Sequence, residues 1–413
     1  MSGIAGKEIE GLDLEPEALS PKGACSARVL RNAKELLDLR CLWEKWATEP
    51  TCDMDHFLLV CRTRENVRNP HVIVVSRDDE PVAILAARLE NSHIAPSIGY
   101  FTPFKFAVRS LSTVYGGLLG RVDDAVATAL MNSLNESLEA READVVTLYQ
   151  LPEESALLSA ALKETSSRWR DREPILSTHW QLSLHDKPSG LLQEMTAKHR
   201  SWIRRKARDL EKSFAGRVSY YDFKSGGSVP ELCAELESVA RLTYQRGLGQ
   251  GFRDDADHRE RFDLFNREKA LRAWTLRVDN VPRAFCVGFV YHNVFYFTET
   301  GYDPDFRTFE IGTLMFMNMT DSLIAQRVAK FDFGLGDAYY KKRFGDHSWQ
   351  EATLRLYSRS AKGYLVCRCA GFVDSVSDFV RRLVRRFGVL DRLKRTWRRR
   401  LSGKMRGERD ASG

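Results

Sequence analysis

The chain has 413 residues, of which 43% are hydrophobic and 29% charged, and this composition is typical of a globular protein of two or three domains. No run of about 18 apolar residues occurs, so no membrane-spanning helix is expected. The formal net charge is +7, but the segment from Ala370 to Gly413 carries 13 Lys and Arg against five Asp and Glu. The rest of the chain is therefore near neutral, and DNA is not an expected partner.

Residues 1–29 are predicted to form a disordered leader. They contain no hydrophobic stretch of the kind that a signal peptide needs, so a cytoplasmic location is expected. The eight cysteines show no zinc-finger spacing, and no His/Glu pattern of a metal site occurs. We therefore expect reduced thiols and no bound metal.

Two strand–turn–strand patterns indicate that the chain contains two copies of one unit. Residues 78–83 and 279–284 share the pattern Asp-(Asp/Asn)-x-Pro-x-Ala between apolar runs, which is typical of a β-hairpin. Later in each half, residues 129–150 and 314–334 show apolar residues at helical spacing and then a short β-rich run. Two matching segments in the same order favour a duplication over chance similarity.

The two copies predict a mixed α/β fold with two domains, at residues 30–185 and 186–365. Each is expected to contain a mixed, mainly antiparallel sheet flanked by helices. Residues 366–413 are predicted to form a basic amphipathic tail, because apolar residues recur at helical intervals from Phe372 to Leu390 while arginines occupy the other face. Such a helix either lies on an anionic membrane or packs its apolar stripe against the body, and both alternatives remain open.

A predicted strand at residues 290–298 leads into a loop with the features of an anion site. A helix is predicted to begin near Ile311, where free backbone N–H groups attract anions, and Gly312 allows a ligand to approach the backbone. Arg307 adds a cation nearby. The spacing Arg307-x-x-x-x-Gly312 resembles the pyrophosphate loop of GNAT acyltransferases, Arg/Gln-x-x-Gly-x-Gly/Ala, with Glu310 in place of the middle glycine.

A second resemblance lies at residues 330–346, KFDFGLGDAYYKKRFGD. The pattern Asp-Phe-x-x-Gly-Asp-x-x-Tyr-Lys-x-x-Phe/Trp-Gly resembles the CelD-like branch of GNAT proteins, which is associated with cellulose and exopolysaccharide loci and is kin to Fem-type aminoacyl transferases. A predicted helix at residues 198–212 places three arginines at i, i+4 and i+8 on one face. The same family carries an arginine-rich helix at this place.

These resemblances imply tandem GNAT-like domains and a transferase that moves an acyl group from acetyl-CoA, or another acyl-CoA, to an amine or hydroxyl. A cell-surface polysaccharide precursor, an amino sugar and an amine are the implied acceptors. The cofactor is expected in the second domain, because Asp123 and Asp124 at the corresponding helix start of the first domain would repel phosphate.

Candidate site residues follow from position within these patterns. The implied CoA-binding residues are Arg307, Ile311, Gly312 and Thr313. The candidate catalytic residues are Glu299 as base, directly or through water, and Tyr339 or Tyr340 as proton donor to the thiolate. Asp332 is a further candidate, because it alternates with Phe331 and Phe333 on a strand and so faces the cleft. The candidate substrate-binding residues are Arg200, Arg204, Arg208, Asp337 and Lys341, although Asp337 could instead cap the next helix and, with Lys341, hold the loop.

Two other functions remain open at this point. A Fem-like enzyme would take its aminoacyl group from aminoacyl-tRNA, and the arginine helix would then contact RNA or a lipid-linked diphosphate. A non-catalytic accessory protein of polysaccharide synthesis would dock at the inner face of the membrane through its basic tail. Binding of acyl-CoA separates the first function from both alternatives.

Overall fold

The computed structural model describes residues 24–386, apart from residues 100, 188, 224–225 and 248. Most of the predicted leader and the tail beyond residue 386 lie outside the described residues. The leader was predicted to extend too far, because Cys25–Leu30 forms the first strand of the sheet. This strand pairs with the apolar strand that follows it, and that pairing orders it.

The described part of the chain forms one twelve-stranded mixed sheet with helices on both faces, which confirms the predicted fold class. The strands are β1 (Cys25–Leu30), β2 (Val67–Arg77), β3 (Glu80–Ile94), β4 (Phe106–Gly120), β5 (Val145–Pro152), β6 (Ile175–Ser183), β7 (Val218–Phe223), β8 (Leu271–Val278), β9 (Val281–Tyr291), β10 (Val294–Tyr302), β11 (Lys330–Leu335) and β12 (His347–Tyr357). Their order is β1-β2-β3-β4-β5-β12-β6-β11-β10-β9-β8-β7.

This order shows an internal duplication with exchanged strands. Strands β1 to β5 and β7 to β11 run in the same sequence from the two edges towards the centre, and the fourth and fifth strand of each set pair in parallel. The sixth strand of each half crosses over: β12 pairs with β5, and β6 pairs with β11. The predicted boundary at residue 186 therefore follows a strand that completes the sheet of the second half.

The helices cover both faces. They are α1 (Ala33–Leu37), α2 (Arg40–Trp46), α3 (Met54–Thr63), α4 (Asp124–Glu139), α5 (Ala156–Glu164), α6 (Leu191–Glu194), α7 (Ala197–Ser213), α8 (Val229–Ala240), α9 (Tyr244–Gly247), α10 (Ala256–Arg267), α11 (Ile311–Ala325), α12 (Tyr339–Phe344) and α13 (Ala361–Arg386), with 3₁₀ turns at Pro50–Cys52 and Pro304–Phe309. Alternate residues of β9 show the two layers: Ala284 and Cys286 pack with α11, whereas Phe285 and Val287 pack with α8 and α10.

Helices α3 and α10 bring the two halves together on one face of the sheet. Arg64, which ends α3, forms a salt bridge of 3.1 Å with Asp257 of α10. Tyr291 at the end of β9 donates a hydrogen bond to Asp53, the residue that caps α3. These contacts enclose the space between the halves that contains the candidate site.

Tight turns set the register of the hairpins. Asp78 and Asp79 have φ of 51° and 64°, and Asp279 and Asn280 have φ of 55° and 61°, so the two predicted hairpins are confirmed. The strand predicted at residues 290–298 is interrupted, because His292 and Asn293 form a third turn of this kind, with φ of 44° and 62°. The chain there belongs to two strands, β9 and β10.

Within the described range, the structure contains no helix that is both long enough and apolar enough to cross a bilayer.

Candidate active site

The strands β10 and β11 separate at the centre of the sheet. Their parallel pairing is limited to residues 294–296 and 330–332, although both strands continue for several residues. A bulge in β10 between Phe297 and Glu299, and a second in β11 between Asp332 and Gly334, accompany the separation. The result is a gap in the sheet that is open to a ligand.

A cavity of about 290 Å³ lies next to this gap. Both halves of the chain line it, with Glu49, Tyr115 and His179 from the first half and Arg261, Tyr296 and Asp332 from the second. Aromatic side chains, including Phe289 and Phe297, make up much of the remaining wall. A concave, largely apolar space with a few convergent polar groups is typical of a small-molecule site.

A buried histidine connects the exchanged strands below the cavity. His179 of β6 is 1% exposed, and its Nε2 lies 2.8 Å from both carboxylate oxygens of Asp332 on β11. Its Nδ1 lies 3.1 Å from Glu351 of β12 and 3.0 Å from the hydroxyl of Tyr115. Trp349 stacks on the imidazole at 4.2 Å between ring centroids.

The charges of this network support one another. Burial opposes the imidazolium, but the hydrogen bonds to Asp332 and Glu351 raise the pKa of His179 to about 9. His179 is therefore an imidazolium at neutral pH and donates one N–H to each of the two carboxylates. Because both ring nitrogens are engaged, His179 can orient Asp332 but has no free nitrogen for a substrate.

Asp332 is held from several sides. The backbone N–H of Gly334 donates to its Oδ1 at 2.7 Å, and the amide of Gln181 donates to its Oδ2 at 3.4 Å. Its side chain alternates with those of Phe331 and Phe333, which pack in the core of the opposite layer. The structure thus places Asp332 at the cavity wall, where the alternation of this strand predicts it.

Glu49 is the titratable carboxyl group of the cavity. Burial, together with the negative charge of Asp332, raises the pKa of Glu49 to about 8. The residue precedes the 3₁₀ turn Pro50–Cys52, and its side chain lies against Gly116, where an added Cβ would collide with it. A carboxyl group whose proton exchanges close to neutral pH is suited to general acid–base chemistry.

Lys341 supports the loop beside the cavity. Its ammonium donates a hydrogen bond to the carbonyl of Leu335, and burial lowers its pKa to about 8. Asp337 is exposed and does not cap α12, since the helix begins at Tyr339 and its N-cap residue is Ala338, without a side-chain bond. Lys341 thus fits the loop-holding alternative.

The other catalytic candidates lie away from the cavity floor. The carboxylate of Glu299 approaches Nε2 of His258 at 3.9 Å. Tyr339 is 79% exposed, whereas Tyr340 packs beside Phe297 and Phe333 at the edge of the gap. Glu299 belongs to β10 itself, just after its bulge, whereas Tyr340 reaches the separated strands through its ring contacts.

The predicted anion loop leads into a helix whose N-terminus no side chain caps. Helix α11 begins at Ile311 as predicted. Its N-cap residue Glu310 is left-handed, with φ of 58°, which explains why related loops carry glycine there. Gly312 and Thr313 follow in the first turn, Ile311 is buried, and Arg307 is exposed at the end of the preceding 3₁₀ turn.

The arginine helix is confirmed as α7, but its three arginines have different surroundings. Arg200 donates hydrogen bonds to the carbonyls of Gln193 and Met195, so it fastens the preceding turn. Arg204 and Arg208 are exposed. Lys206 of the same helix bonds to the carbonyl of Thr308 and thereby ties α7 to the anion loop.

Sequence reasoning missed most of the cavity residues. His179 and Glu351 belong to strands of mixed polar and apolar residues, so no pattern in the sequence sets them apart. Tyr115 lies on β4, and no motif in the sequence includes it. Glu49 had no local signal, because it belongs to a short turn between helices.

One carboxylate cluster lies outside the cavity. Asp53, Asp55 and Glu268 place one oxygen each within 4.8 Å of one another, a spacing that a metal ion could use. Asp55 is already paired with Arg40 at 2.7 Å, and exposed acidic groups often cluster without an ion.

The second half matches a known family model. Residues 197–342, about a third of the chain, match the acetyltransferase (GNAT) domain. This part of the chain is a GNAT-type domain. The match contains the arginine helix α7, the separated strands β10 and β11, and the loop before α11. The GNAT-type domain thus includes Asp332 and Arg261 but not Glu49 or His179, which the first half contributes.

Several solved structures show a similar arrangement at low sequence identity. They include a tandem GNAT protein from the clavulanic acid biosynthesis pathway (12% identity, 81% of this chain and 100% of that chain, TM-score 0.49), FemX (11%, 70% and 88%, 0.47) and the C-terminal domain of a putative lysylphosphatidylglycerol synthetase from Agrobacterium fabrum (12%, 81% and 94%, 0.48). These values are too low to transfer an activity. No curated protein shows significant sequence similarity to the chain.

Proposed function

We propose that the protein transfers an acyl group from acyl-CoA to an amine or hydroxyl acceptor bound in the central cavity. The observation that carries this proposal is the gap between β10 and β11. The pairing between these two strands ends at Tyr296 and Asp332. Beyond that point the strands no longer pair with each other, and Thr298 of β10 and Gly334 of β11 line the cavity. A thioester arm that enters this gap from the loop before α11 would bring its carbonyl carbon to the cavity.

The two halves differ at the helix that would receive the pyrophosphate. In the first half, Asp123 caps α4 through a hydrogen bond from the backbone of Val126 and also pairs with Arg77 at 2.8 Å. In the second half, no side chain caps α11. The free N–H groups and the helix dipole of α11 therefore favour a phosphate in the second half.

Within this proposal, Glu49 is the general base. The thioester supplies the acyl group, and the acceptor nitrogen or oxygen forms the new bond to the carbonyl carbon while the carbon–sulfur bond breaks. Glu49 takes the acceptor proton, and Asp332, oriented by His179, accepts a hydrogen bond from the attacking group. Tyr340, beside the gap, is the proposed proton donor to the leaving thiolate.

The finer assignments rest on the resemblance at residues 330–346. Acetyl is the proposed acyl group, and a polysaccharide precursor or an amino sugar in the cytoplasm is the proposed acceptor class. Aminoacyl transfer from tRNA is the alternative. Its support is the exposed arginine pair Arg204 and Arg208 on α7, which can contact a phosphate backbone.

Binding of acetyl-CoA is the decisive test of this function. We expect acetyl-CoA and free CoA to raise the melting temperature of the full-length protein, because a ligand that binds only the folded state stabilises it by about 2.7 kcal/mol at a hundred times its Kd. Charged tRNA should have no such effect. Stabilisation by charged tRNA without any response to CoA would reject acyl-CoA as donor, and no response to either would favour the non-catalytic alternative.

The C-terminal helix supports a further proposal about location. Val366, Ala370 and Val373 form one apolar stripe of helix α13 and are buried against the rest of the protein. A second apolar stripe of the same helix faces outwards. Leu365, Phe372 and Phe379, spaced seven residues apart, are 54%, 66% and 60% exposed. The sequence that follows is rich in arginine, so we propose that this stripe contacts an anionic membrane at its inner face.

Liposome sedimentation tests this contact. We expect the full-length protein to sediment with phosphatidylglycerol vesicles but not with phosphatidylcholine vesicles, and 0.5 M salt should weaken the binding. The double variant Phe372→Gln/Phe379→Gln should lose most of it while remaining folded, because both side chains are exposed. If the wild type instead forms dimers without lipid and the double variant does not, a second copy of the chain covers the stripe.

A further inference from the structure

One wall of the central cavity carries a charge without a partner. Arg261 of α10 lines the cavity, and its Nε and Nη2 are buried without a hydrogen-bond acceptor among the described residues. The aromatic rings of Phe262 and Phe289 lie 5.7 Å from its guanidinium carbon. Those rings stabilise a cation only in part, because they accept none of its N–H groups.

No group among the described residues accepts a hydrogen bond from Nε or Nη2 of Arg261. His56 of α3 lies on the same side of the cavity and is 8% exposed, and its Nδ1 also lacks a partner. Burial and the charge of Arg261 lower the pKa of His56 to about 4, so this imidazole is neutral. The carboxylates of Glu299, Asp255 and Asp257 act on Arg261 through space, without a hydrogen bond to it. That of Glu299 lies 3.9 Å from Nε2 of His258.

A buried guanidinium without an acceptor is costly to the fold. Leaving a buried polar group unpaired costs about 1–3 kcal/mol, and more when the group is charged. Salt bridges satisfy other arginines of the same helix region, as Arg259 shows with Asp254 at 2.6 Å. The position of Arg261 is therefore explained if its acceptor arrives with a ligand.

We propose that Arg261 binds an anionic group of the acceptor, so that the acceptor is a small amine that also carries a carboxylate or a phosphate. The proposal rests on the acyl transfer proposed above. The planar guanidinium can donate two parallel hydrogen bonds to either anion. Glu49 and Asp332 line the same cavity, and their carboxyl groups suit the amine end of the same molecule.

The size and lining of the cavity agree with such a ligand. Its volume of about 290 Å³ is at the lower end of small-molecule sites, so a compact molecule fits better than a polymer chain. Phe265, Phe289 and Tyr149 supply flat apolar surfaces for the body of the ligand. A sugar ring or an apolar side chain would pack on these surfaces equally well.

Paired probes test the anion requirement. Isothermal titration calorimetry on the full-length protein, with and without saturating CoA, would compare L-phenylalanine with its amide and glucosamine 6-phosphate with glucosamine. We expect at least one anionic probe to bind tenfold or more tightly than its neutral partner. The first pair reports a carboxylate and the second a phosphate. Equal affinities within both pairs, or no binding by either anion at 10 mM, would overturn the proposal.

Two variants identify the residue responsible. Arg261→Met should abolish the preference for the anion, leave the affinity for CoA unchanged, and raise the melting temperature of the ligand-free protein by roughly 2–4 °C, because an unpaired buried charge is removed. Arg261→Lys should retain part of the preference. The control Arg267→Met changes an exposed arginine of the same helix. If Arg261→Met still prefers the anionic probes, Arg261 is not the anion-binding residue. If the wild type does not bind CoA at all, the proposed acyl transfer itself is rejected.

Discussion

The variant Glu49→Gln should lower kcat by on the order of 10²–10⁴, because removal of a general base costs that much. The amide keeps the shape of the carboxyl group and its contact with Gly116, so the fold should be retained. In the wild type, burial holds the pKa of Glu49 at about 8, and kcat/KM should rise with pH through that value. The variant should lack this rise. Steady-state kinetics from pH 6 to pH 9.5 would measure both effects.

The raised pKa of Glu49 also predicts how the stability of the fold depends on pH. The pKa of Glu49 is raised in the folded state, so between about pH 4.5 and pH 8 the unfolded chain has lost a proton that the folded chain keeps. The free energy of unfolding of the wild type should therefore fall as the pH rises through this window. Glu49→Gln should be more stable than the wild type by on the order of 1 kcal/mol at pH 8 and equal to it at pH 4.

A matched control is available on the preceding helix. Glu44 is exposed and pairs only with Arg40 in the structure, so Glu44→Gln should change neither the rate nor the pH profile. If Glu49→Gln keeps the wild-type kcat and its rise near pH 8, the base is a different group. Asp332→Asn would then be the next variant to examine.

The variant Gly312→Glu should weaken acetyl-CoA binding by roughly 30- to 150-fold. A carboxylate in the first turn of α11 would face the phosphates, and two such charges a few ångströms apart repel by about 2–3 kcal/mol under effective protein screening. The fold should tolerate the change, because Gly312 is helical and an added Cβ would meet Tyr302 at 3.4 Å, an ordinary contact. Calorimetric titration would give the affinity and thermal unfolding the stability.

Gly312→Ala separates size from charge at this position. It should stabilise the helix by up to about 1 kcal/mol and weaken CoA binding much less than the glutamate does. Equal affinities for the wild type and Gly312→Glu would place the pyrophosphate elsewhere. Glu310→Gly should act in the opposite direction, since it removes a carboxylate and relaxes a left-handed residue.

Local patterns in the sequence predicted most of the regular elements near the site. The Asp-Asp and Asp-Asn turns predicted two hairpins, and the 3.6-residue periodicity predicted α7 and α11. Alternation on β11 predicted that Asp332 faces away from its phenylalanine neighbours. The turn at His292 and Asn293 was missed because it lacks the glycine or proline that usually marks such a position.

The cavity depends on pairings between residues far apart in the chain. His179 meets Asp332 and Glu351 only because β6 and β12 exchange places, and no periodicity within either strand encodes that exchange. Glu49 and Arg261 come together through the contact of α3 with α10. Side chains that converge from four separate segments leave no common motif, whereas the loop before α11 is a continuous motif.

The exchange of β6 and β12 between the two halves also affects how the chain folds during synthesis. β5 cannot pair with β12 until residue 357 has left the ribosome. β6 is synthesised earlier and has no β11 to pair with until residue 335 follows. Unpaired edge strands can pair with other chains and cause aggregation. We therefore expect the nascent chain to need rapid completion of its sheet or the help of chaperones. Once both crossings have formed, neither half can open without breaking the sheet of the other. Folding is therefore expected to be slow and unfolding to involve both halves at once.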